Sequence, residues 1–272
     1  MKRVLFATDF STLSENAFTY ALGLFKKEFC SYTILHVIPF TYQSDELYDY
    51  SPMLDTGSAE VAMKELMQKF ASYAKKKEIS IETKIEFGDP ALQISEYADR
   101  MEMDLILMGT KGKGAGDFLV GSTTFSVVKR SHCPMLIIPG ESRFKKPKKM
   151  LFAIDLKKSI KEKSLMPLLV IAKKYHTEVL LLQVKSEEEE SLNEAVLGLR
   201  INSSLEGLAH SYHVIYENDI AGGIERFALE NNADLLVMIS KQQHLFERIF
   251  HKSIRKKMLL HSALPLLLLD NN

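Results

Sequence analysis

Short apolar runs alternate with amphipathic segments along the whole chain. Residues 4–8 form an apolar run of strand length, and residues 17–25 then place apolar side chains at helical spacing, with Ser11 or Ser14 as the expected cap. The first half continues with predicted strands at 33–38, 79–87, 105–108 and 135–138 and predicted helices at 58–77, 90–101 and 122–130. Strands that alternate with helices predict a parallel sheet that is covered by helices on both faces.

The second half repeats the first. "VLFATD" (4–9) returns as "MLFAID" (150–155), and "DPALQI" (89–94) and "DLILM" (104–108) return 130 residues later as "DIAGGI" and "DLLVM". Four matched blocks in the same order, the last at 134–139 and 265–270, indicate a tandem repeat. The second copy is 16 residues shorter between its second and third strands. We therefore expect two doubly wound, Rossmann-like α/β domains at 1–141 and 148–272, each with a five-stranded, mainly parallel sheet.

Composition narrows the classes of partner and compartment. Lys+Arg and Asp+Glu both number 35, and this balance argues against a nucleic-acid binder, which normally carries a basic excess. The apolar runs are too short to span a bilayer, so no membrane partner is expected. Two cysteines, Cys30 and Cys133, cannot form a disulfide framework and favour a reducing, cytoplasmic setting.

One stretch, "MGTKGKGAGDFLVGSTT" (108–124), holds five glycines and follows a predicted buried strand. Glycine backbone can approach a ligand closely and aim N–H groups at phosphate oxygens. Ser122 or Thr123 would begin a helix whose N-terminus favours an anion, and Lys111 would add positive charge. Asp9, at the end of the first strand, would accept hydrogen bonds from ribose or hold a divalent cation. No generic phosphate-loop motif matches, so the residues alone leave a flexible connection as the alternative.

The glycine-rich stretch and the repeated blocks together resemble those of the universal stress protein family in its tandem form. Nucleotide-binding members carry glycine, two residues, glycine, nine residues, glycine and then serine or threonine, and here Gly109, Gly112, Gly121 and Ser122 supply that pattern. "FATDFS" (6–11), "ILHVI" (34–38) and "CPMLIIP" (133–139) belong to the same resemblance. Only eight residues, 113–120, separate Gly112 from Gly121, so either the extra glycines at 114 and 116 make up the length or the pocket is altered.

The resemblance implies a site for ATP or another adenine nucleotide, with or without Mg²⁺, in the first domain. It places Thr8 and Asp9 at the ribose or phosphates, Val37 at the adenine, and Met108 and Gly109 beside the base and sugar. Gly112, Gly121, Ser122 and Thr123 would bind phosphates, with Lys111 beside them.

The second copy departs from the pattern at the matching positions. Ile239, Gln242, His251 and Lys252 stand where the first copy has Gly109, Gly112, Gly121 and Ser122. The first three place a Cβ where the loop has glycine, and all four add bulk where phosphate would lie. Asp155 is retained, but the sequence predicts no nucleotide bound by this loop.

No nucleophile and base set is visible, and the histidine pairs lack the further ligand spacing of a metal site, so neither catalytic residues nor a protein metal site is predicted. The expected function is nucleotide-dependent regulation of a protein partner. Slow, Mg-assisted ATP hydrolysis and a nucleotide-free scaffold for another small ligand are the alternatives. The last strands, 135–138 and 266–269, are expected to pair edge to edge and form an intramolecular pseudo-dimer. A homodimer of the whole chain is a further expectation.

Overall fold

A computed structural model describes residues 3–25, 31–40, 56–77, 79–110, 121–155, 160–185, 192–239 and 264–271. Two compact units divide the chain, Met1–Cys133 and Pro134–Asn272. The predicted boundaries at 141 and 148 follow the sequence repeat, whereas the compact units place the last strand of the first repeat in the second unit. Among the described residues, no helix combines the length and the apolar character needed to cross a bilayer.

The first unit alternates strands and helices from its first described residue. Its elements are β1 (Arg3–Ala7), α1 (Thr12–Phe25), β2 (Ser31–Ile38), α2 (Thr56–Lys77), β3 (Ser80–Phe87), α3 (Pro90–Arg100), β4 (Leu105–Gly109) and α4 (Ser122–Arg130). Each predicted element is present. Helix α1 begins directly after Ser11, five residues before the apolar segment 17–25, and the other bounds shift by two residues or fewer. Ser11 is the cap of α1, because its Oγ accepts the Ser14 N–H at 3.2 Å.

The strands of the first unit lie in the order β3-β2-β1-β4 and are parallel. The chain runs outward from β1 to β2 and β3, and then returns to place β4 on the other side of β1. The strand order therefore reverses between β1 and β4, which is where open α/β sheets form ligand crevices.

Aromatic side chains join the sheet to its helices in the first unit. Phe18 of α1 stacks on Phe6 of β1 with ring centroids 4.6 Å apart, and Phe70 of α2 meets Phe18 edge-on at 4.7 Å. Tyr32 of β2 contacts the same ring at 5.5 Å. Phe6, Phe18 and Tyr32 are fully buried. These contacts fix α1 against β1, so the loop between them has two rigid ends.

The second unit repeats the alternation and begins with one extra strand. Its elements are β5 (Met135–Ile138), β6 (Lys149–Ala153), a short 3-10 helix (Glu162–Leu165), α5 (Met166–Tyr175), β7 (Glu178–Lys185), α6 (Leu192–Ser204), β8 (His210–Tyr216), α7 (Ile220–Glu230), β9 (Leu235–Ile239) and β10 (Leu266–Leu269).

Its strands lie in the order β5-β10-β9-β6-β7-β8. All described pairs are parallel except β5 with β10, which is antiparallel with Leu267 opposite Leu136. The predicted pairing of the two last strands is therefore confirmed. Both strands are fully apolar and buried, so the pairing also removes two strand edges from solvent.

The N-terminus of α3 is capped by Asp89, whose Oδ1 accepts the Leu92 N–H at 2.7 Å. We expect Asp89→Ala to lower the free energy of unfolding by about 1 kcal/mol, because a first-turn N–H loses its acceptor. Urea unfolding followed by circular dichroism measures the change. Glu96→Ala, at an exposed position of the same helix, is the control and should change stability by less than about 0.5 kcal/mol. Equal losses in the two variants would show that the cap has no special role.

Candidate functional site

A cavity of about 370 Å³ opens in the first unit beyond the carboxyl ends of β1, β2 and β4. It lies at the reversal of strand order, and its size is in the range of small-molecule sites. Its walls come from five places in the sequence. The lining residues are Ala7, Thr8, Asp9, Ser14, Leu35, His36, Val37, Pro39, Pro90, Ile94, Met108, Gly109, Gly121, Ser122, Thr123 and Thr124.

The loop after β1 holds Asp9 in a fixed position. Asp9 Oδ1 accepts hydrogen bonds from both Ser11 N–H, at 3.1 Å, and Ser11 Oγ, at 2.6 Å. Ser11 in turn caps α1, so the carboxylate is tied to the start of a buried helix. A negative charge at this end of α1 is also favoured by the helix dipole. The carboxylate is therefore ordered before any ligand arrives.

Thr8 is the second fixed point of this loop. Its N–H donates to Leu35 O at 2.9 Å, which extends the β1–β2 pairing by one residue. Its buried Oγ1 accepts Phe10 N–H at 3.0 Å and lies 2.9 Å from Ser14 Oγ. Phe10 has a φ of 59°, which is uncommon for a residue other than glycine. The Thr8 hydroxyl thus holds a turn that lets the chain leave the strand and enter α1.

His36 supports the same loop from β2. Its Nδ1 lies 2.8 Å from Thr8 O, and because a carbonyl only accepts, Nδ1 carries the hydrogen and donates. Its ring also packs on Phe10 with centroids 4.3 Å apart. Thr8 and His36 are 28 positions apart in sequence, and the parallel pairing of β1 with β2 brings them together. His36 is a positioning residue of the cavity that the sequence pattern did not indicate.

The loop after β1 forms one polar wall of the cavity, and the N-terminus of α4 forms the other. Gly121 is the N-cap with φ −60° and ψ 150°, and it brings no capping side chain. Its own N–H donates to Thr110 O, and Thr124 Oγ1 donates to Gly109 O at 3.0 Å, so the helix start is tied back to the end of β4. The first-turn N–H groups of a helix have no acceptor within the helix. In the described part of the chain no side chain caps this helix start, and Gly121, Ser122, Thr123 and Thr124 line the cavity.

Eight of the ten residues predicted for the site line this one cavity: Thr8, Asp9, Val37, Met108, Gly109, Gly121, Ser122 and Thr123. Lys111 and Gly112 lie outside the described residues. Ser14, His36, Pro39, Pro90, Ile94 and Thr124 also line it and were not predicted.

The lining divides by chemistry according to the element it comes from. The ends of β2 and β4 and the start of α3 contribute mainly apolar groups, such as Val37, Met108 and Ile94. The loop after β1 and the start of α4 contribute hydroxyls, backbone N–H groups and the Asp9 carboxylate. Such a lining suits a ligand that carries both an apolar part and polar, anionic groups.

Comparison with known proteins decides the family. The sequence profile of the universal stress protein family matches residues 1–139 and again 151–270. The chain belongs to the universal stress protein family. The resemblance seen in the sequence is thereby confirmed, as are the α/β class and the presence of two tandem universal stress protein domains.

Relatives and solved structures agree with this assignment. A Staphylococcus aureus (strain USA300) protein that carries the universal stress protein name is 34% identical over 144 residues, which is 52% of this chain and 85% of the relative. A universal stress protein from Archaeoglobus fulgidus has the same fold, with a TM-score of 0.74 and 21% identity over 99% of this chain and 96% of the other. A Pseudomonas aeruginosa structure gives a TM-score of 0.58 at 13% identity, over 99% and 93% of the two chains.

The second universal stress protein domain keeps the backbone pattern of the first but not its polar side chains. Ile154 N–H donates to Leu182 O at 2.9 Å, as Thr8 does to Leu35. Ile154 stands at the position of Thr8 and brings no hydroxyl, and Ile239 stands at the position of Gly109 at the end of the equivalent strand. Asp155 is retained, whereas Gln242, His251 and Lys252 lie outside the described residues.

Among the residues that the structure describes, no group of three or more His, Cys, Asp or Glu side chains is arranged to hold a metal ion. In the cavity of the first universal stress protein domain, Asp9 is the one described carboxylate in the lining. A Mg²⁺ ion here would therefore take most of its oxygen ligands from a bound phosphate chain and from water, as is usual for this ion.

Proposed function

We propose that the first universal stress protein domain binds ATP or another adenine nucleotide. The observation that carries this proposal is the meeting of three features in one cavity: an apolar wall, the Asp9 carboxylate and the uncapped start of α4. Adenine would lie against the apolar wall at Val37 and Met108. The ribose would meet Asp9, and the phosphates would meet the N–H groups that begin at Ser122.

The fit of a nucleotide is supported by the pre-ordered state of the polar wall. Asp9 is fixed by Ser11, and Gly121 brings no capping side chain to the start of α4. Little ordering of these described groups is then required on binding, which preserves affinity. Phosphate at a helix N-terminus also gains from the positive end of the helix dipole.

We further propose that the role is regulatory and that nucleotide occupancy controls the choice of a protein partner. The described lining holds one carboxylate and one histidine, and that histidine is engaged with Thr8 O. This set suits binding more than turnover. The family assignment is consistent with a role in stress response, and a cytoplasmic location is part of the same proposal.

Isothermal titration of the full chain with ATP, with and without Mg²⁺, tests the proposal, together with mass spectrometry of ligands that remain bound through gentle purification. We expect one adenine nucleotide per chain, because the second copy lacks the glycines of the phosphate loop. No heat and no co-purified nucleotide would rule out the nucleotide site. A ratio of two would contradict the assignment to the first domain, and steady phosphate release that Asp9→Ala abolishes would favour an ATPase.

A further inference from the structure

A dense group of cations lies in the second unit. Residues 143–149, "RFKKPKK", hold five cations among seven residues. Two more, Lys173 and Lys174, end helix α5. The chain has no net charge, so such a concentration at one place departs strongly from its average.

Three contacts hold the two segments side by side. Thr177 Oγ1 donates to Pro147 O at 2.8 Å, and Glu178 N–H donates to Lys148 O at 2.9 Å. The rings of Phe144 and Tyr175 lie 6.2 Å apart. The cations therefore stand on an ordered surface at the amino ends of β6 and β7. We call Lys145, Lys146, Lys148 and Lys173 the amino-edge basic patch.

These four lysines are exposed, and none forms an ion pair with any residue that the structure describes. Two acids at this edge, Glu178 and Asp234, are already engaged. Glu178 lies 3.9 Å from Lys149 Nζ, and Asp234 Oδ2 accepts the backbone N–H groups of Lys148 and Lys149. The C-terminal end of the α5 dipole offsets part of the repulsion near Lys173. Within the described part of the chain, the four lysines of the patch therefore present positive charge to solvent.

We propose that the amino-edge basic patch docks an acidic segment of a partner protein. Carboxylates in an acidic segment match these exposed lysines in charge. Because the backbone that carries the lysines is held by the contacts of Pro147 and Lys148, little backbone order has to be created on docking.

A protein partner fits better than RNA or a membrane. Single-stranded RNA binds through basic grooves with open aromatic faces, whereas the Tyr175 ring is already covered by Lys174 Nζ at 5.0 Å and packs beside Phe144. A peripheral membrane site combines basic groups with apolar side chains that insert. None of the large apolar side chains that are exposed in the described part of the chain belongs to 143–149 or 173–178.

Fluorescence anisotropy of a labelled peptide of about ten residues, alternating Glu and Ser, tests the proposal with the full chain. We expect binding that Lys145→Glu/Lys146→Glu weakens about tenfold, because two favourable charge contacts become repulsive. Binding should also weaken on raising NaCl, as exposed charges are screened. Lys161→Glu/Lys163→Glu is the matched control. It makes the same change in charge at exposed lysines near Asn271, which follows the carboxyl end of β10, and should alter affinity by less than about twofold.

Three results would overturn the proposal. The first is no binding of the acidic peptide, and the second is an equal loss in the two charge-reversed variants. The third is tighter binding of an oligouridine of similar length, or of phosphatidylserine vesicles, than of the peptide. Thermal unfolding of both variants within about 2 °C of the unaltered chain would show that a loss arises at the surface and not from the fold.

Discussion

Gly121→Val should weaken ATP binding by about a hundredfold or more, the largest effect we expect from any single substitution. An N-cap side chain lies close to the N–H groups of the first helical turn. Valine at this position would put two methyl groups where phosphate oxygens are expected, and the helix start would lose its contact with the anion. Titration calorimetry with ATP measures the loss.

The backbone conformation of Gly121 means that the substitution tests ligand binding without distorting the main chain. Its φ of −60° and ψ of 150° are open to any residue, so the substitution creates no strain in the main chain. Gly121→Ser is the matched variant. Its hydroxyl would cap α4 and raise stability by a few tenths of a kcal/mol, yet it would compete with phosphate for the same N–H groups and lower affinity. Unchanged affinity in both variants would mean that the phosphates do not lie at α4.

The fold was predictable because its signals are local. The order of residues along the chain is enough to identify the apolar runs at 4–8 and 105–108 and their repeat in the second half. The start of α4 at Ser122 was also predictable, since glycine followed by serine precedes a segment of helical spacing. The pairing of β5 with β10 was predicted from the need to protect two apolar edges, and it is present.

The roles of the side chains that support the cavity could not be predicted as readily from the sequence. His36 lies in a strand whose pattern shows only that the strand is buried, and its contact with Thr8 O exists because β2 pairs with β1 in one register. Ser14 looked like a possible cap but instead lies beside Thr8 Oγ1. Pro90 and Ile94 reach the cavity from a helix more than fifty residues beyond β2. These roles depend on tertiary pairing, which the linear pattern does not contain.

The two copies together separate what the fold requires from what a ligand requires. The second copy keeps the strand order, the hydrogen bond from Ile154 N–H to Leu182 O and an aspartate after its first strand. It keeps neither the threonine before that aspartate nor the glycine that ends β4. Since the fold forms without them, neither residue is required for the strand order. Gly109 lines the proposed nucleotide cavity, whereas Thr8 both lines it and holds the turn after β1. Asp155 shows that an aspartate alone does not establish a site.

Asp9→Ala should weaken ATP binding by about ten- to a hundredfold, which is the range expected for a lost hydrogen bond to a charged group. Removal of the carboxylate also releases Ser11, so a modest loss of stability is expected at the start of α1. Asp9→Asn is the control for that local effect, because its side-chain oxygen can still accept the Ser11 N–H while the charge is gone. Calorimetric titrations of the three proteins, with unfolding curves for each, separate the two contributions.

The role of Asp9 can be resolved by changing the ligand together with the protein. If the carboxylate accepts hydrogen bonds from ribose, 2′,3′-dideoxy-ATP should bind the unaltered chain as weakly as ATP binds Asp9→Ala, and the two losses should not add. If Asp9 instead holds a divalent cation, the dideoxy analogue should bind normally, and the loss in Asp9→Ala should appear only with Mg²⁺ present. Full additivity of the two losses in the absence of Mg²⁺ would contradict contact of Asp9 with the ribose. In either case the carboxylate is already held by Ser11, so little further ordering of Asp9 is needed on binding.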